Sequence, residues 1–130
     1  MLREISAVRQ DRADLRRRWF QDDYFDLFVW LAPDGSIAAF QLAYDRGPKE
    51  RALSWDRDGG YLHRRVDSGE ASAFQKMTPL LTGAGRFPRL AVMAQFDARS
   101  GGLEENIRRF VRDKAARYRR FAQRAPRRRA

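Results

Sequence analysis

At 130 residues the chain suits one domain with a core of its own and leaves little room for a second. It has no Cys and one His, which excludes disulfides, a thiolate nucleophile and Cys-ligated zinc; no metal or cofactor is expected. The net charge of +10 is uneven: positions 103–130 hold 11 basic and 3 acidic side chains while the preceding positions hold 16 and 14, so the basicity belongs to the C-terminal segment.

In chain order, Arg3 to Val8 is charged and reads either as an edge strand or as a short helix. It lacks the apolar stretch of a secretory leader, and no run of the sequence approaches a membrane span, so a cytoplasmic address and no membrane partner are expected. Leu15 to Phe20 is followed by Tyr24 to Leu31, an almost continuously apolar run rich in aromatic and β-branched residues, which reads as a strand covered on both faces. A loop of Gln21, Asp22 and Asp23 between them sets Arg18 opposite Asp26, giving that carboxylate a cross-strand cation. Pro33-Asp34-Gly35-Ser36 has the residues of a tight turn, and Ile37 to Tyr44 is the returning strand. After the break at Arg46-Gly47-Pro48, Arg51 to Trp55 and Tyr61 to Val66 flank the turn Asp56-Arg57-Asp58-Gly59-Gly60.

Ala73 to Leu81 reads as a strand interrupted by Pro79. Pro88 to Ala98 suits a short helix with Pro near its first position, although Leu90, Val92, Ala94 and Phe96 also alternate as strand residues do. Beyond Gly101-Gly102, Leu103 to Gln123 carries Ile107, Phe110, Val111, Ala115, Tyr118, Phe121 and Ala122 at steps of three and four, one stripe of an amphipathic helix that Pro126 ends. The expected fold is α+β: an antiparallel β-meander of about five strands packed against a long C-terminal helix, in one domain over 1–125 with an Arg-rich tail over 126–130. Phe25 or Phe28, Leu27 or Val29, Trp30, Phe40, Leu42, Leu53 and Trp55, the inward set depending on register, are expected to meet Ile107, Phe110, Val111, Tyr118 and Phe121 in the core. One sheet face is left partly uncovered, so a homodimer is an expected partner.

The runs Arg17-Arg18-Trp19-Phe20, Asp26-Leu27-Phe28-Val29-Trp30, Phe40-Gln41-Leu42-Ala43-Tyr44-Asp45, Ala52-Leu53-Ser54-Trp55 and Val66-Asp67-Ser68-Gly69-Glu70 resemble a family of short bacterial proteins with no assigned activity. The resemblance implies a bacterial cytoplasmic origin and carries no cofactor or catalytic residue.

Two sets of residues are candidates for chemistry. Arg108, Arg109, Arg112, Arg119 and Arg120 on the helix, with Arg127, Arg128 and Arg129 behind it, would neutralise phosphates and hold nucleic acid or another acidic partner largely irrespective of sequence. The competing reading is a solvated face, since an Arg-rich composition also follows from a GC-rich genome. Asp22, Asp23, Asp26 and His63 are the residues an acid/base site would use, against the simpler reading of turn residues, an ion pair and a structural histidine. Asp56 to Gly60 fails as a calcium loop, because Tyr61 stands where the obligatory Gly belongs and Asp67 where a Glu belongs. No Ser lies in a nucleophile elbow and no Gly-rich phosphate loop is present. A non-catalytic interaction module is therefore the leading expectation, a nucleic-acid accessory protein the second and a small enzyme the third.

Overall fold

The structure, a computed structural model, describes residues 1–47, 49–66 and 85–119. The expected strand over Ala73 to Leu81 lies outside the described residues, as do Arg120, Phe121, Arg127, Arg128 and Arg129. The fold is α+β. Among the described residues six strands, β1 (Arg3–Ile5), β2 (Arg16–Gln21), β3 (Asp26–Leu31), β4 (Ile37–Tyr44), β5 (Arg51–Asp56) and β6 (Gly60–Arg65), pair antiparallel in chain order, each beside the next. Two helices follow among the described residues, α1 (Arg89–Arg99) and α2 (Glu105–Arg117). The opening segment supplies the additional edge strand.

Local chemistry closes the hairpins. Between β3 and β4, Asp34 Oδ1 accepts from the Ser36 N–H at 2.9 Å and from its hydroxyl at 2.6 Å, and Gly35 takes a φ of +89°. Between β5 and β6, Asp56 Oδ1 accepts from the N–H groups of Asp58 and Gly59, and Gly60 takes a φ of +78°. The β2–β3 connection differs from the sequence expectation. Asp22 Oδ1 accepts from the N–H groups of Tyr24 and Phe25, and the Asp22 N–H donates to the Phe25 carbonyl, so the loop extends through Phe25. The longer loop shifts the register: Arg18 pairs with Val29 and Asp26 with Gln21.

Alternation along each strand then separates two faces. Phe20, Leu27, Leu42, Leu53 and His63 form one cross-strand row, with Arg18, Val29, Phe40, Trp55 and Tyr61 beside it. These rows meet Val92, Phe96, Ile107 and Val111 of the helices, all fully buried. Phe110 stands edge-on to Trp55 and Phe40, and Lys114 lays its ammonium over the Trp55 ring at 4.7 Å, a cation–π seat at the margin of the core. Trp30, expected in the core, lies on the opposite face, because it alternates with the inward-facing Val29. Helix α2 ends at Arg117, because Tyr118 turns extended and buries its ring against Phe87, His63 and Tyr61.

Candidate interaction surface

The face turned away from the helices carries Trp19, Phe28 and Trp30 on its first strands. Trp19 and Phe28 stack with centroids 5.4 Å apart, and the Arg17 guanidinium lies 5.0 Å over Phe28 and 6.0 Å from Trp30. Both indole N–H groups are committed: Trp19 Nε1 donates to Asp26 at 2.8 Å and Trp30 Nε1 to Asp11 at 2.9 Å. The chain entering β2 is fixed alongside, since Gln10 bonds both the N–H and the carbonyl of Arg17. This row is therefore a preorganised surface rather than loose aromatic side chains.

Past Trp30 the strands carry small residues, and the surface dips. A groove of about 540 Å3 is floored by Ala39, Gln41 and Ser54 and walled by Trp30 and Leu62. Gln41 and Ser54 lie opposite each other across β4 and β5. Neither side chain makes a hydrogen bond among the described residues, so both present polar atoms to whatever occupies the groove. The groove is edged by Arg12, which lies 3.9 Å from Asp56, and by Asp58; away from it Arg17 lies 3.4 Å from Asp11 and Arg46 3.6 Å from Asp26.

The acid/base candidates do not converge. Asp26 lies on the face turned away from the described helices, while His63 lies on the helix face, where its Nε2 is 2.6 Å from the Tyr44 hydroxyl. Burial holds that hydroxyl well above the usual tyrosine range, so Tyr44 stays protonated. Asp22 and Asp23 both receive Arg99, at 3.1 and 2.7 Å. Burial pushes the Asp22 carboxyl up, but the N–H groups of Phe25 and Tyr24, together with Arg99, outweigh it and hold the group below its ordinary value. Arg99 likewise lowers Asp23. No group of three or more potential ligands stands ready for a metal ion among the described residues.

The cationic candidates on α2 are engaged within the chain. Arg108 and Arg109 share Glu105, and Arg112 holds Asp97 at 2.6 Å. Arg119 donates to the carbonyls of Ala116 and Tyr118. Arg18, expected opposite Asp26, holds Glu4 and Glu104 instead, at 2.7 and 2.9 Å, and lowers both carboxyls. No described helix is long and apolar enough to cross a membrane.

Sequence reasoning passed over Gln41, Ser54 and Leu62. The available signal was alternation in β4 to β6, which the apolar character of Ala39 and Ala43 on the outer face obscures. No family model matches the chain, and no curated protein and no solved structure matches it either.

Proposed function

We propose that the protein is a small non-catalytic interaction module that binds a second copy of itself through the face of its sheet turned away from the described helices. The carrying observation is the fixed row of Trp19, Phe28 and Trp30, with its neighbouring groove, on a face that no described helix covers. A row of aromatic side chains with satisfied indole N–H groups offers contact area at little entropic cost. The paired charges Arg12 with Asp56 and Arg46 with Asp26 suit a two-fold interface, in which each cation on one copy can meet an anion on the other.

The nucleic-acid reading through Arg108, Arg109 and Arg112 receives less support, because each of those guanidiniums lies against a carboxylate of the same chain. An enzyme using Asp26 with His63 receives less still, since the two lie on opposite faces.

Sedimentation of the full chain from micromolar to near-millimolar concentration tests the proposal. A dimer is expected, and Ser54→Arg or Leu62→Glu should leave a folded monomer. A wild-type chain that stays monomeric throughout, or a dimer indifferent to both substitutions, rejects it.

A further inference from the structure

The arginines of the helical layer divide into two sets. Arg99, Arg108, Arg109, Arg112 and Arg117 each lie against a carboxylate. Arg86, Arg89 and Arg119 lie against none among the described residues, and the fold gathers them. All three line one pocket of about 560 Å3 between the start of α1 and the end of α2, and no carboxylate among the described residues lines it.

Packing brings them together. The Tyr118 ring sits 5.8 Å from Phe87, edge to face, which pins the end of α2 against the entry to α1. The Tyr118 carbonyl then accepts from Arg89 Nη1 at 3.4 Å and from Arg119 Nη1 at 3.2 Å. Two guanidinium charges thus meet at a single neutral oxygen. The end of α2 supplies only about half an elementary negative charge, so a net positive charge remains. Paired guanidiniums match the oxygens of a phosphate, which they can hold through parallel hydrogen bonds.

The rest of the pocket has a different character. Leu90, 84% exposed, is one of the two large hydrophobic side chains left in solvent among the described residues, and it lines the same pocket. The volume exceeds what a bare phosphate fills and falls in the range of small-molecule sites.

We propose that this pocket takes a phosphate monoester carried on an apolar, nucleoside-sized body, with the phosphate at Arg86, Arg89 and Arg119 and the body against Leu90. The site lies apart from the sheet-face groove and stands independently of self-association.

Calorimetric titration of the full chain with adenosine monophosphate tests it, with adenosine, inorganic phosphate and a short oligothymidylate as further ligands. Adenosine monophosphate should bind saturably and adenosine about tenfold or more weaker. The Arg86→Ala/Arg119→Ala chain should stay folded, both side chains being exposed, and lose about tenfold or more in affinity. Leu90→Ala should weaken the nucleotide and leave inorganic phosphate unchanged. Tighter binding of the oligonucleotide through the same arginines identifies a strand as the source of the phosphate; tighter binding of the monophosphate identifies a free nucleotide. No saturation by either, or affinity unchanged in the double variant, overturns the proposal. Ser54→Arg, which addresses the sheet face, should leave this binding intact.

Discussion

Asp22 joins three parts of the chain through one carboxylate. Its side chain is 5% exposed, accepts from two N–H groups of its own loop, and meets Arg99 at the end of α1 and the Met1 ammonium at 3.6 Å. Replacing it with Ala leaves those donors without this acceptor, and Asp22→Ala should cost about 1–3 kcal/mol at neutral pH by urea denaturation. The pH dependence has a definite sign. A carboxyl whose folded value is depressed stabilises the fold above its unfolded pKa, and that contribution is lost as pH falls through the folded value. The cost of Asp22→Ala should therefore be fully present at neutral pH and shrink below roughly pH 4. A cost unchanged in acid would show that the carboxylate charge plays no part. The same residue explains the misplaced register. An aspartate followed by another aspartate reads from sequence as a polar loop, and nothing local reveals that its side chain caps Phe25 and extends the loop.

Helix α1 shows why its element type was ambiguous. Leu90, Val92, Ala94 and Phe96 alternate, yet as a helix they divide: Val92 and Phe96 are fully buried while Leu90 is exposed. Phe96 packs edge-on against Phe25 at 5.9 Å, so Phe96→Ala should destabilise by about 3–5 kcal/mol. Leu90→Ala should stay within about 0.5 kcal/mol of the parent in the same denaturation experiment. Comparable costs at the two positions would mean that the helix presents a different face to the sheet. In β3 the alternation is real but hidden. Leu27 and Val29 are fully buried, whereas Phe28 and Trp30 are partly exposed on the other side. All four are apolar, so sequence placed Trp30 in the core and the structure places it at the candidate surface.

At the scale of the whole molecule, the charge of +10 acts on the two proposed associations in opposite senses. Two like-charged copies repel at long range, and salt screens that repulsion. Raising salt from low to physiological strength should therefore tighten the dimer in sedimentation experiments. The phosphate site gains from the same positive field, so its affinity in titration should fall over the same interval. A dimer that weakens in step with nucleotide binding would place both on the same cationic surface.

The order of the strands, the Pro33–Ser36 turn and the apolar stripe of α2 follow from the sequence by itself, because neighbouring residues fix each of them: turn side chains bond their own backbone, and periodicity needs only the chain's local geometry. Tertiary structure decided which sheet face the described helices pack on, where Arg18 finds its carboxylates, and that Arg89 and Arg119 meet at one carbonyl. Those outcomes depend on contacts between residues far apart in the chain, such as Tyr118 against Phe87, and local pattern does not encode such contacts.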